Sequence, residues 1–273
     1  MDELLNVVGA MRSLAGMRLQ EAHRALPGVR RYAQTMAEAI GGTLVLIPEA
    51  ATGGSAAQGH RALVLCTGEH GFVGGFNTRL LDTAETDLNA HDVLFVLGSR
   101  GATLAQERGR TMAWTYPMAT RLQSVPETIR HLTAELYRLI ARGEVTRAEV
   151  LFARYRQSSS PTIERRRLFP LDLASLVAGS ARLPPLHNLP PAVLLEKLIV
   201  EYVFALLTEA ATESLASENA ARFSAMESAH DNVSKKLDQL RQEGRRARQD
   251  EITTELLDVV TGAEALQGGG ARS

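Results

Sequence analysis

Apolar and small residues recur along the first forty positions at Leu4, Val8, Met11, Ala15, Leu19, Ala22, Leu26, Val29, Ala33, Met36 and Ile40. The steps are threes and fours, alternating apart from one repeated four. That is the seam of a coiled coil with a local relaxation of its supercoil. Pro27-Gly28 predicts a kink or break inside this helix, and Gly41-Gly42 predicts its end. Such a helix is about 60 Å long.

A second long helix is predicted from Pro190-Pro191 to about Leu266, before Gly268-Gly269-Gly270. Unbroken, it would measure on the order of 110 Å. Phe223, Met226, His230, Val233, Leu237, Leu240, Gly244 and Ala247 alternate by three and four. His230 would be a polar register-setter on that seam. After Ala247 the stripe shifts to Ile252, Leu256, Val259, Ala263 and Leu266. Leu194 to Leu207 is apolar nearly all round, which predicts burial on most sides.

The middle of the chain has another rhythm. Arg61 to Cys66 and Asp92 to Leu97 are short apolar runs near glycine, the pattern of parallel strands buried on both faces. Asn77 to Leu88 and Val125 to Arg142 read as helices. Glu149 to Arg156 and Thr162 to Leu171 read as a strand pair joined through residues 157–161, and a Gly/Ala/Ser-rich linker covers 50–59. The fold class expected is α/β plus coiled coil. Residues 1–42 and 191–273 would form a long antiparallel two-helix coiled coil, with an open Rossmann-like α/β domain of residues 43–190 inserted between them.

Composition narrows the function. The chain has 273 residues, 45% hydrophobic but only 5% aromatic, so its core must be aliphatic. Thirty basic against 31 acidic residues lack the basic excess of a nucleic-acid binder. One cysteine, Cys66, excludes an intrachain disulfide and a cysteine-rich metal site, and suits a reducing compartment. The start lacks the basic and then apolar pattern of a signal peptide. The stretch 194–207 is too short for a bilayer and is interrupted by Glu196, Lys197 and Glu201. A soluble protein is expected, touching a membrane only through partners.

Candidate chemistry is sparse. Gly71-Phe-Val-Gly74-Gly75 lies between a predicted strand and helix, where a phosphate loop belongs, but no Gly-Lys-Ser/Thr follows. It reads as a tight turn or a degenerate nucleotide site. The seven histidines lack ligand spacing, so no metal is expected. Cys66 reads as an inert core thiol, Ser158 to Ser160 as a turn, and Arg165-Arg166-Arg167 as an exposed rim that could meet an acidic partner. No catalytic constellation stands out. The residues alone leave open a nucleotide-binding α/β protein with helical arms and a coiled-coil adaptor.

Longer segments are more specific. Ala221-Arg-Phe-Ser-Ala-Met-Glu-Ser-Ala-His-Asp-Asn232, Ala247-Arg-Gln-Asp-Glu-Ile-Thr-Thr-Glu-Leu256 and Val259-Val-Thr-Gly-Ala-Glu-Ala-Leu266 resemble the C-terminal signature of the gamma subunit of rotary F-type ATP synthases. Gly9 to Leu19 resembles that family's first helix, and Gly71 to Asn77 its glycine loop. The resemblance implies a central stalk with no catalytic residue, cofactor or metal of its own. The implied partners are three alpha and three beta subunits, the epsilon subunit and the c-subunit ring, at the cytoplasmic face of a bacterial inner membrane. Met11, Arg248, Gln249 and Thr253 match positions that face the alpha/beta ring. Gly74, Gly75 and Asn77 match the foot near epsilon and the c ring. The chain departs from the pattern at Val73, where the family has cysteine, and at Glu69-His70, where it has Asp-Arg. Met1 falls inside the family's first helix, which implies a late start or a shortened variant, and the tail after Leu266 is extra. These departures point to a divergent branch, of the alternative sodium-coupled kind.

Overall fold

The computed structural model describes residues 2–47, 59–156, 161–172, 176 and 186–269. In chain order these form α1 (Asp2–Leu44), β1 (His60–Cys66), α2 (Phe76–Glu85), β2 (Val93–Leu97), α3 (Ser99–Glu107), β3 (Trp114–Tyr116), a short 3-10 turn (Leu122–Ser124), α4 (Val125–Ala141), β4 (Val145–Arg154), β5 (Thr162–Phe169) and α5 (Pro191–Gly269). Two compact units result. One joins Met1–Met11 to Met226–Ser273, and the other is Arg12–Ala225. Both long helices run through the division.

The larger unit is built on one sheet of order β3-β2-β1-β4-β5. The first four strands are parallel and β5 is antiparallel to β4. Val64 sits level with Phe95 on one side and Val150 on the other. The continuous apolar runs of β1 and β2 follow from burial on both faces, with successive side chains going to opposite sides. Ala62, Val64, Cys66, Phe95 and Leu97 join Ile129, Leu132 and Leu136 of α4 and Ala205 to Leu215 of α5 in one core. Leu63, Leu65, Leu94 and Val96 join Phe76, Leu80 and Leu81 of α2 and Ala105 of α3 in the other.

From Val8 onward the apolar stripe of α1 is its covered face, whereas Leu4, the first residue of the stripe, is exposed. Val8, Ala15, Ala22, Leu26, Ala33 and Ile40 are buried, and Met11, Leu19, Val29 and Met36 are half-buried between them. Of the kink or break expected at Pro27-Gly28 the break does not occur, and the helix runs past the expected stop at Gly41-Gly42 to Leu44. One proline removes one backbone hydrogen bond. The packed residues on either side, Leu26 and Ala33, hold the helix across that loss. Within the larger unit α1 and α5 meet in antiparallel order: a side chain at Gly16 would touch Phe223, while Arg30 pairs with Glu213 and Tyr32 with Glu201.

Burial along α5 differs from expectation. Within Leu194 to Leu207 the first part is half-buried or exposed, with Val200 exposed, whereas Val203 and Ala205 to Leu207 are buried, and the continuously buried stretch is residues 209–219. That stretch is rich in polar side chains, including Thr212, Glu213, Ser214, Ser217, Glu218 and Asn219. Ser214 and Ser217 find partners at the ends of strands, Glu213 pairs with Arg30 of α1, and Thr212, Glu218 and Asn219 bond within α5 itself. Beyond Met226 the seam residues stay half-buried as far as Leu237, and the described side chains from Asp238 to Val260 are exposed.

Candidate functional site

The glycine loop starts where β1 ends. Thr67 is buried and its hydroxyl donates to the Leu97 carbonyl at 2.5 Å. The Glu69 carboxylate accepts from the Ser99 N–H at 3.0 Å, the Ser99 hydroxyl at 2.6 Å and the Met118 N–H at 2.8 Å. Burial alone would raise this carboxyl. The hydrogen bonds from Ser99 and Met118 carry it below the usual range. The Gly68 N–H donates to Oδ1 of Asn77 at 2.8 Å. Gly74 turns the chain at φ +53°, and Phe72 does so at φ +60°, where a side chain is disfavoured. Phe72 is also 67% exposed.

This loop borders the point where the strand connections reverse, between β1 and β4. Open α/β sheets take their ligands there, outside the carboxyl ends of the strands. Here α5 crosses that position. Ser214 donates to the Cys66 carbonyl at the end of β1, at 2.5 Å, and Ser217 to the Ala153 carbonyl near the end of β4, at 2.9 Å. Arg222 then brackets the loop. It pairs with Glu218 at 2.6 Å, reaches Asn219 at 3.2 Å, and donates to the carbonyls of Gly71 at 3.3 Å and His70 at 3.4 Å. Burial pushes the Glu218 carboxyl above the usual range, against the pull of Arg222. A side chain at Gly68 would meet Glu218 at 3.2 Å. The space a nucleotide phosphate would need is thus taken by the chain's own helix, and the loop is a brace between sheet and helix.

The residues singled out by sequence fall in two places. Gly74, Gly75 and Asn77 are together on the loop and the start of α2. The glycines are exposed, whereas Asn77 is buried and engaged with the backbone of its own loop. Met11 is half-buried on α1, and Arg248, Gln249 and Thr253 are exposed on α5, all within the smaller unit. Gln249 and Thr253 share one helix face, with the Thr253 hydroxyl donating back to the Gln249 carbonyl at 2.8 Å. Sequence reading missed Phe72, Glu218 and Arg222. The Glu-x-x-x-Arg spacing of the last two was a legible signal; Phe72 had none.

The remaining candidates have structural partners. Arg165 pairs with Asp87 and Glu149, and Arg166 with Glu209, so these two are not a free basic rim. Cys66 is fully buried, which pushes its thiol up to about 12. His60 stacks on His91 and His131 on Tyr116. Among the described residues there is no group of three metal-ligating side chains, and no helix is long and apolar enough to cross a membrane. Ser158 to Ser160 and residues 50–58 of the linker lie outside the described residues.

A family model described as ATP synthase matches residues 1–266. The chain belongs to that family. The ATP synthase gamma chain of Chlorobium luteolum is 29% identical, over 96% of this chain and 93% of that one. The gamma chain of Synechococcus elongatus is also 29% identical, over 96% and 94%. Among solved structures, the Euglena gracilis mitochondrial ATP synthase (OSCP/F1/c-ring, rotational state 3) contains a chain matched at TM-score 0.57 and 16% identity, over 97% of each chain. The central stalk/c-ring of the Tetrahymena thermophila mitochondrial enzyme contains another, at TM-score 0.57 and 16% identity, over 82% of this chain and 99% of that one. These two likenesses concern the fold: an N-terminal helix, a central mixed sheet and a long C-terminal helix.

Proposed function

We propose that this chain is the gamma subunit of an F-type ATP synthase, the rotor shaft that couples ion flow through the c ring to conformational cycling of the beta subunits. The observation that carries this reading is the family match over residues 1–266, joined to a fold that combines a five-stranded sheet with one C-terminal helix of 79 residues. A shaft of this kind works by population shift: each orientation favours a different conformation in each beta subunit. The subunit itself is non-catalytic. Its partners are the alpha and beta subunits, three of each, with epsilon and the c ring. It is peripheral to the membrane, on the cytoplasmic face of a bacterial inner membrane.

The two helices beyond the sheet form an antiparallel coiled coil in this reading. Its supports are the covered stripe from Val8 to Ile40 and the seam from Phe223 to Leu237. Met11, Arg248, Gln249 and Thr253 face the alpha/beta ring, as the resemblance implies. Gly74, Gly75 and Asn77, which the resemblance matches to the foot near epsilon and the c ring, lie on and beside the loop that Arg222 braces. Mixing the chain with alpha and beta subunits should yield a complex that hydrolyses ATP and rotates. A beta-to-gamma crosslink at Gln249 that left rotation unhindered would overturn the reading.

A further inference from the structure

Three guanidinium groups from three elements converge on two buried carboxylates of α5. Arg166 of β5 holds Glu209 through contacts of 2.6 and 3.3 Å and lies over the Phe152 ring. Arg154 of β4 stands 3.6 Å from Glu213 and 3.9 Å from Glu209, and pairs with Glu164 at 3.0 Å. Arg30 of α1 pairs with Glu213 and stands 3.4 Å from Glu209. The side chain of Glu213 is 1% exposed.

Apolar side chains of the same volume would avoid the desolvation cost of such a cluster. Two of its atoms, Arg154 Nε and Glu213 Oε2, are buried without a hydrogen-bond partner, so stability is a poor explanation for it. Charge pairs do supply direction. Packed apolar helices can slip by one turn and repack. If α5 slipped one turn here, either Ala205 would replace Glu209 or Ser217 would replace Glu213, and the arginines would lose a buried counter-charge.

We propose that Arg30, Arg154, Arg166, Glu209 and Glu213 are positioning residues that lock α1 and α5 in register on the sheet, so that torque passes between the sheet and the long helices without slip. This rests on the shaft reading above. The test uses the complete complex in vesicles, with a bead tethered through a cysteine at the exposed position E107C; buried Cys66 stays unlabelled. One variant is R30M, whose parent side chain is half exposed. The other is R154M/E213L, which replaces buried Glu213 and its partly buried partner Arg154 by apolar groups. Both are expected to assemble and hydrolyse ATP, with fewer ions pumped per ATP and wider angular fluctuation of the stalled rotor. R30K should restore both readouts in part. Native pumping ratios and fluctuations in both variants would overturn the proposal. If R154M/E213L fails to assemble, R30M alone decides, and failure of R30M to assemble would make the cluster a folding element and overturn the proposal too. The shaft reading fails separately, if the native complex does not rotate.

Discussion

The Glu218 carboxylate and the Arg222 guanidinium lie 2.6 Å apart, one turn along α5, and both side chains are more than nine-tenths buried. Together with the His70 and Gly71 carbonyls they join the glycine loop to the helix. Removing one partner leaves the other charged and unsatisfied. E218L, which removes the acceptor as well as the charge, is therefore expected to cost about 3–5 kcal/mol. E218L/R222M should cost less than the sum of the two single changes. Urea unfolding of the isolated chain measures all three.

Acid and base should act on this chain through different groups. The hydrogen bond from Arg165, with Arg61 behind it, holds Asp87 below its ordinary 3.8. Burial would raise Glu209, but Arg166, Arg30 and Arg154 carry it below 4.5. Stability from these two is present above the ordinary carboxylate values and is lost as pH falls through the lower folded ones. Glu218 has the opposite sign. Its folded value is raised, so its contribution is full below 4.5 and is lost as pH rises through that folded value. In melting temperatures measured from about pH 3 to 8, R165M should flatten the acid limb and E218Q the upper limb.

Glycine positions separate packing from propensity. A methyl group at Gly101 would stand 1.9 Å from the Thr67 hydroxyl oxygen, itself bonded to the Leu97 carbonyl. G101A should cost about 1–3 kcal/mol, the usual penalty for overpacking. At Gly244, in the exposed part of α5, nothing lies within 4 Å. G244A should stabilise the isolated chain by about 0.5–1 kcal/mol through helix propensity. Thermal unfolding of both variants checks the contrast in sign.

Much of the architecture was legible because burial wrote itself as periodicity. The stripe from Val8 to Ile40 is the covered face of α1, and the runs Leu63–Leu65 and Leu94–Leu97 are strands buried on both sides. Two elements escaped. α3 spans nine residues with few large apolar side chains, and β3 has only three residues, held by pairing to β2. Of the apolar run Leu194 to Leu207 only the second half, from Val203 on, is buried, and the burial continues to Asn219, where apolar count gives no signal. Part of that later contact is made by Ser214 and Ser217, whose partners are strand ends distant in sequence. Arg248, Gln249 and Thr253 were reached by resemblance alone. Their proposed partners lie on other subunits, so no internal pattern could mark them.

Phe72 combines two features that cost a folded chain something: a backbone at φ +60° and a large apolar side chain in water. Neither stabilises the isolated chain, since the loop is held by Arg222 and Asn77 instead. The side chain is thus available to a neighbouring subunit. F72A should leave the stability of the free chain within about 0.5 kcal/mol, as for a surface change. It should also weaken assembly of the chain with its partner subunits. F72G should be at least as stable as F72A, because glycine relieves the left-handed backbone. A drop of several degrees in the melting temperature of free F72A would show that Phe72 supports the loop itself. Unchanged assembly would show that no partner covers it.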